Sequence, residues 1–206
     1  MTDLFLDRPG RRLLSPRGRF DPWNLAWDGS GGSDGVPVGP REAVRWVLRE
    51  AGGRRLPVAV IGPKRARPDH VSLAEALGRA LAEEGYTLLT GGKGGVMEAA
   101  SRGAFQAGGL TIGLLPDEEW TAANPFVTVP LASGIGPARN ALIARAAFAL
   151  VAVGGEYGTL SEMALGLHFG RLVLALADAP AVEGADRLDG VDTVLERLAR
   201  RFLALD

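Results

Sequence analysis

Short apolar runs alternate with longer helical patterns from residue 57 to the end of the chain. The predicted strands are residues 58–62, 87–90, 110–115, 148–153 and 172–176, with a short extended piece at 126–130. The predicted helices are residues 73–81, 96–107, 137–147, 160–168 and 191–202. Apolar strands that alternate with helices are typical of a parallel sheet covered on both faces. The pattern therefore predicts an α/β fold.

The first 56 residues do not share this alternation. Residues 1–38 are rich in Gly, Pro, Arg and Asp, and the segment 29–35 reads as a flexible glycine loop. Phe20, Trp23 and Trp27 indicate that this arm packs onto the domain or onto a second subunit. A helix is expected after Pro40 and ends near Gly52. We predict a single domain over residues 57–206, preceded by an N-terminal arm and helix over 1–56.

Composition removes several classes of function. The chain has 206 residues, of which 47% are hydrophobic, no cysteine and two histidines, so it predicts a folded protein with no disulfide framework and no metal site. A net charge of -1 gives no reason to expect nucleic acid or an anionic membrane as a partner. The beginning of the chain has no secretory pattern and no apolar stretch of membrane length, which predicts a cytoplasmic protein.

Two glycine turns each join a predicted strand to a predicted helix, and ligands bind at the carboxyl ends of strands in such sheets. The first turn, residues 91–95, matches neither the dinucleotide fingerprint nor a P-loop. Tight packing of helix against strand explains it equally well. The second turn, residues 154–158, leads into a helix whose first N–H groups and partial positive charge suit a phosphate.

Two charged residues stand beside the second turn. Glu162 is predicted in the first turn of the helix, where it can face a ligand; alternatively, Thr159 and Glu162 form a capping box with a purely structural role. Arg139 follows Pro137 at the start of another helix, the unfavourable end of the macrodipole for a cation, so a bound anion or a facing carboxylate would stabilise it. Alternatively, the Arg139 side chain reaches into solvent. We expect Arg139 and Glu162 to point into one cleft.

Several segments together resemble a known superfamily. These are Gly91 to Met97, Gly103-Ala104, residues 112–116, Ala138-Arg139-Asn140 and Gly158 to Glu162. They are similar, in order and spacing, to the LOG (Lonely Guy) superfamily, nearest the branch of DprA-related and molybdenum cofactor carrier-like proteins. The resemblance spans about residues 57–177 and implies a Rossmann-like, doubly wound parallel sheet, a homodimer, and a nucleotide site at the glycine turns.

The resemblance also assigns roles to individual positions. Arg139 and Glu162 fall on the catalytic positions of phosphoribohydrolases that release the base from a nucleoside 5′-monophosphate. The predicted substrate- and phosphate-binding positions come from both turns and their flanks: Gly91, Gly92, Gly94, Gly95, Met97, Asn140, Gly154, Gly155, Gly158 and Thr159. Three positions differ from the family motif. Gly154 replaces Pro, Glu156 replaces the second Gly, and Asn140 replaces Lys.

We therefore expect a nucleotide-binding protein that hydrolyses the N-glycosidic bond of a nucleoside 5′-monophosphate, with no cofactor of its own. Glu162 would stabilise the positive charge that develops on the ribose, and the second turn would anchor the phosphate. The alternative is a non-catalytic carrier of a phosphorylated ligand such as the molybdenum cofactor. A nucleotide sensor that signals through the N-terminal arm is a third possibility.

Overall fold

The computed structural model describes residues 3–206. Met1 and Thr2 lie outside the described residues. They are the first two residues of the predicted N-terminal arm, and the expectation about secretion also rests partly on them. The chain forms two compact units. One combines residues 3–55 with Leu195–Asp206, and the other is Leu56–Val194.

The first unit is a five-stranded antiparallel sheet with one helix. Its strands are β1 (Leu4–Asp7), β2 (Arg12–Ser15), β3 (Gly18–Asp21), β4 (Ala26–Trp27) and β5 (Val36–Val38), in the order β4-β3-β2-β1-β5. Helix α1 (Pro40–Arg49) follows. The sequence predicted α1 but no strand, because strands of two to four residues are too short for alternation to stand out.

Aromatic side chains hold the two ends of the chain together within this unit. Phe20 packs against Trp27 with ring centroids 5.0 Å apart and against Phe202 at 6.2 Å. The Trp27 indole donates a 2.7 Å hydrogen bond to the carbonyl of Leu203. The chain from Leu195 onward thus belongs with the N-terminal strands, whereas the sequence grouped it with the domain at 57–206.

The second unit contains the predicted alternation. In chain order its elements are β6 (Pro57–Ile61), α2 (Pro68–Glu84), β7 (Thr87–Thr90), α3 (Val96–Gln106), β8 (Thr111–Leu115), β9 (Val129–Ala132), α4 (Arg139–Ala146), β10 (Ala149–Val153), α5 (Tyr157–His168), β11 (Leu172–Leu176) and β12 (Asp186–Arg187). Helix α6 (Val191–Phe202) begins in this unit and ends in the first. Short 3-10 helices at Trp120–Ala122 and Gly136–Ala138 precede β9 and α4.

All seven strands of this unit run parallel, in the order β12-β11-β10-β6-β7-β8-β9. The Rossmann-like α/β class is confirmed. The chain leaves β6 towards β7 on one side and later returns to β10 on the other, so the strand order reverses between β6 and β10. In sheets of this kind the crevice at that reversal is the usual ligand site.

Both faces of the sheet are covered. Ala59 and Ile61 belong to a buried cluster with Ile143 of α4 and Met163 of α5. Because side chains alternate along a strand, the buried Val58 and Val60 face the opposite layer. Two predictions were imprecise here: the extended piece at 126–130 is displaced from β9, and β12 was missed because it has only two residues.

Candidate functional site

A cavity of about 710 Å³ lies at the carboxyl ends of β6, β7, β8 and β10, at the reversal of strand order. Pockets for small molecules and cofactors typically measure about 300–1,000 Å³, so a ligand the size of a nucleotide fits. All lining residues belong to the second unit. Seven of the twelve predicted site residues are among them: Gly91, Met97, Arg139, Asn140, Gly158, Thr159 and Glu162.

The buried pair of Arg139 and Glu162 forms one wall. Arg139 begins α4 and Glu162 lies on α5, and the guanidinium Nη1 donates a 3.0 Å hydrogen bond to Glu162 Oε1. Only 10% and 8% of the two side chains are exposed, so Arg139 does not reach into solvent. Burial raises the pKa of Glu162 to about 7, and attraction to Arg139 opposes part of that rise. The Glu162 carboxyl therefore changes protonation near neutral pH.

The position of Glu162 excludes the capping alternative. Helix α5 begins at Tyr157 with Glu156 as its N-cap, and that cap makes no side-chain hydrogen bond. Glu162 is the sixth residue of the helix rather than a residue of its first turn, too far along to bond a cap N–H. Its carboxylate is instead directed at Arg139. The predicted cleft with both side chains is therefore present.

Asn140 connects Arg139 to the beginning of α5. Its Oδ1 accepts a hydrogen bond from Arg139 Nη1, and its Nδ2 donates to Ser161 Oγ at 3.0 Å and to the Gly158 carbonyl at 3.4 Å. Ser161 Oγ donates to that same carbonyl at 2.7 Å. An amide supplies both a donor and an acceptor, whereas the Lys of the family motif can only donate. Asn140 thus positions the guanidinium against α5.

The second glycine turn shapes the cavity, but only part of the turn lines it. Gly154 has φ +58°, and a Cβ there would lie 2.3 Å from the ring of His70. Gly155 has φ +130°, and its Cβ would meet the Thr159 side chain at 2.4 Å. Neither residue lines the cavity; Glu156, Gly158 and Thr159 do. The turn therefore directs the first N–H groups of α5, which have no acceptor within the helix, towards the cavity.

The first glycine turn lies partly on the cavity wall and partly in the packing behind it. Gly91 lies under the Arg139 guanidinium, where a Cβ would come within 2.4 Å of Nη2, and Met97 lines the cavity beside it. Gly92, Gly94 and Gly95 do not line it. Asn124 holds this turn from behind through a 3.0 Å hydrogen bond from its Nδ2 to the Lys93 carbonyl. A Cβ would lie 2.4 Å from the Leu115 side chain at Gly92 and 2.3 Å from the Pro63 carbonyl at Gly95, so these two glycines serve packing, whereas at Gly94 the nearest atom would be 3.7 Å away.

Sequence reasoning missed part of the wall. The loop after β6 contributes Gly62, Pro63, Lys64 and Arg65, and Asp117 after β8 pairs with Lys93 at 2.8 Å. A signal for the loop was available, because two basic residues directly follow the first apolar strand and the carboxyl ends of parallel strands share one edge.

Two kinds of feature are absent from the described residues. Within residues 3–206, no group of three or more His, Asp or Glu side chains is arranged to bind a metal ion. The same residues include no helix with the length and apolar character needed to cross a bilayer.

Comparison with known proteins identifies the family. Residues 55–197 match the SLOG cluster4 family. The chain belongs to this family. This match and the structural similarities below confirm the resemblance to the LOG-like superfamily and its molybdenum cofactor carrier-like branch.

Three similar proteins illustrate the relationship of this SLOG chain. An uncharacterised protein of Archaeoglobus fulgidus is 39% identical over 127 residues, which are 62% of this chain and 83% of that protein. The molybdenum cofactor binding protein of Rippkaea orientalis is 33% identical, with a TM-score of 0.67 over 70% of this chain and 96% of that one. The molybdenum cofactor carrier protein of Chlamydomonas reinhardtii is 31% identical, with a TM-score of 0.66 over 73% and 99%.

Proposed function

We propose that this SLOG protein binds a phosphorylated organic ligand in the cavity at the β6–β10 reversal and releases it unchanged. The observation that carries the proposal is the convergence of the α5 start with the buried Arg139 on that cavity. Helix starts bind phosphate through free N–H groups and the macrodipole. Arg139 adds a cation next to the same turn.

The molybdenum cofactor is the first candidate ligand. Two proteins named for that cofactor align over nearly their whole length with this chain at 31% and 33% identity. The ligand would be cargo rather than a resident group. Its phosphate would bind at the start of α5, through the N–H groups near Gly158 and Thr159.

A pair of variants at Gly158 tests phosphate binding there. A Cβ at Gly158 meets nothing within 4 Å, so a side chain can begin there without a clash, and Gly158→Asp and Gly158→Asn form a pair matched in shape. Asp places a negative charge against the ligand phosphate, and Asn has the same shape without the charge. We expect the protein purified from a cofactor-producing host to yield pterin fluorescence after oxidation. Gly158→Asp should lower that yield about ten-fold or more, and Gly158→Asn much less.

The absence of pterin from the purified wild type, together with a failure to protect added cofactor from oxidation, would reject this ligand. Equal loss in the two Gly158 variants would place the phosphate elsewhere.

Hydrolysis of a nucleoside 5′-monophosphate is the second candidate, and the buried Arg139–Glu162 pair favours it. In that reaction water adds to C1′, the glycosidic bond breaks and the base leaves with a proton. Ionised Glu162 would stabilise positive charge on the ribose, while Arg139 orients it. Incubation with AMP, CMP, GMP and UMP should release free base, and Glu162→Gln should abolish the release. If the wild type at high concentration releases no base, the protein is not such a hydrolase.

A homodimer remains the expected assembly. Leu142 of α4 and Tyr157 and Leu160 of α5 are exposed apolar side chains, with 45%, 87% and 36% exposure. They favour an interface on this helix pair. Light scattering on the purified chain, with a Leu142→Glu variant for comparison, tests it: twice the chain mass for the wild type and less for the variant are expected.

A further inference from the structure

The loop that follows β6 is held in a fixed position at the edge of the cavity. The carbonyl of Pro63 accepts a 3.2 Å hydrogen bond from the N–H of Val96. A Cβ on Gly95 would approach that carbonyl to 2.3 Å, and one on Gly62 would lie 2.7 Å from the carbonyl of Val153. The loop is therefore packed between the ends of β10 and α3, and the residues after Pro63 begin from a fixed backbone.

Lys64 and Arg65 are the exposed residues that this loop presents to the cavity. Among the described residues, neither side chain forms an ion pair or a side-chain hydrogen bond. The neighbouring Arg67 differs, because it binds Asp178 at 2.7 Å and Asp69 at 3.0 Å. Lys64 and Arg65 thus carry charge that no direct ion pair neutralises, although Asp117, which is paired with Lys93, also attracts Lys64 from a greater distance.

The remaining charges of the cavity are distributed unevenly. Lys93 is paired with Asp117 at 2.8 Å, and Arg139 with Glu162 at 3.0 Å. Glu156, at the start of α5, is the other acidic residue on the wall. Of the four basic residues on the wall, Lys64 and Arg65 are therefore the two without a direct ion pair, whereas the α5 start combines helix N–H groups with the carboxylate of Glu156.

We infer that Lys64 and Arg65 form a second anion subsite, so that the natural ligand carries a second anionic group apart from the phosphate at α5. The inference rests on the proposed function. The chemistry is that of a tetrahedral oxyanion, and two sources fit it: a second phosphoryl group on a nucleotide, or an oxo-metal group such as molybdate. Arg binds such groups bidentately and Lys binds them as a point charge.

The volume of the cavity agrees with a ligand that carries two separate anionic groups. A single phosphate fills only a small part of about 710 Å³. The walls that carry the two subsites belong to different strands, β6 and β10, with the strand-order reversal between them. A ligand that reaches both would lie across the reversal, as ligands of doubly wound sheets do.

Titration calorimetry with the full chain tests the inference in two arms. In the first, AMP is compared with adenosine 3′,5′-bisphosphate. In the second, molybdate is added in the presence of saturating AMP, which occupies the α5 site with its single phosphate. The wild type should bind the bisphosphate about ten-fold more tightly than AMP, or bind one equivalent of molybdate beside AMP. Which arm responds identifies the source of the second anion.

In the variant Lys64→Ala/Arg65→Ala the gain should disappear, so that the dissociation constants of AMP and the bisphosphate differ by less than about two-fold. The control is Arg79→Ala/Arg201→Ala, which removes the same charge from two exposed residues that do not line the cavity. It should keep the gain.

The outcomes separate the two proposals. If neither phosphate nor AMP binds the wild type, the proposed function fails and the second subsite with it. If one of them binds but neither second anion adds affinity, only the second subsite is rejected. It is also rejected if the loop variant loses AMP and the bisphosphate equally, or if the control variant loses the gain as well.

Discussion

At the residue scale, the backbone conformation of Gly154 determines how β10 passes into the second glycine turn. Its backbone has φ +58°, and the His70 ring occupies the space where a Cβ would be. His70 is itself buried, and its Nε2 lies 2.6 Å from Asp178 Oδ1 and 2.7 Å from Arg67 Nη2. The ring is therefore held by charged partners and cannot easily move aside.

Gly154→Ala should destabilise the fold by about 1–3 kcal/mol, because it adds backbone strain and a clash with His70. Chemical denaturation measures this change. Gly158→Ala is the matched control, since its Cβ meets nothing within 4 Å and alanine is the better helix former by up to about 1 kcal/mol. Equal stability of the two variants would contradict the packing of His70 on the turn.

Glu162 makes folding stability depend on pH in an unusual direction. Its folded pKa is raised from 4.5 to about 7, so the folded state favours the protonated carboxyl. The stability that this group contributes is full below about pH 4.5 and falls as the pH rises to about 7. Glu162→Gln cannot ionise and lacks this dependence, while other titrating groups act in both proteins.

The free energy of unfolding of the wild type should therefore fall relative to that of Glu162→Gln by about 3 kcal/mol between pH 4.5 and 7. Urea denaturation at several pH values measures the difference. A difference that stays constant over this range, or that changes with the opposite sign, would show that burial does not raise the pKa of Glu162.

The residues that the sequence identified are those with an unusual local setting. Arg139 stood out because a cation at a helix start is unfavourable, and the structure provides Glu162 as its partner. Lys64 and Arg65 did not stand out, since exposed basic residues in a loop are ordinary. The predicted parallel sheet nevertheless places their loop at the edge that the glycine turns share, so this part of the wall was open to prediction.

At the element scale, α2 and α3 approach each other closely. A Cβ on Gly78 of α2 would lie 2.0 Å from the Ala100 carbonyl, and one on Gly103 of α3 would lie 2.0 Å from the Glu75 carbonyl. The two helix backbones are therefore in direct contact at these positions. Since α3 begins at the first glycine turn, this contact also helps to fix the cavity wall.

Gly78→Ala should force the two helices apart and reduce stability by about 1–3 kcal/mol, despite the higher helix propensity of alanine. Ser72→Ala, at an exposed position of the same helix, should change stability by at most about 0.5 kcal/mol. Thermal unfolding of both variants is the measurement. A neutral Gly78→Ala would mean that the helices can separate at no cost.

Elements were predictable in proportion to their length and periodicity. The buried parallel strands β6, β10 and β11 read as nearly continuous apolar runs, and β7 and β8 have apolar centres bounded by threonine or glycine. The first five strands have four residues or fewer and are separated by turns. Their pairing depends on contacts with the distant C-terminus, such as the bond from Trp27 to Leu203, which no local pattern reveals.

At the scale of the whole molecule, net charge is divided between the two units. Thirteen basic and nine acidic side chains give the first unit +4, and ten basic and fifteen acidic side chains give the second unit -5. The overall value of -1 conceals this division. The cationic residues that line the cavity therefore stand out against an acidic unit.

The first unit is completed by the end of the chain, so changes there should loosen its strands. Phe202 is 1% exposed and packs on Phe20. Phe202→Ala should lower the opening free energy of β1–β3 amides by about 3 kcal/mol, which corresponds to exchange about a hundred-fold faster. Hydrogen exchange measures this, with the β6 and β10 amides as the internal reference. Equal acceleration in both sets would contradict a separate packing unit.

The contact between His70 and Gly154 also limits which residues can stand at position 154. The LOG motif carries proline at the position of Gly154, and proline fixes φ near about −65°, far from the +58° found in this chain. A relative with proline there must form a different turn and has no use for an imidazole pressed against the backbone. The two positions should consequently exchange as a pair: glycine accompanies histidine, and proline accompanies a residue other than histidine.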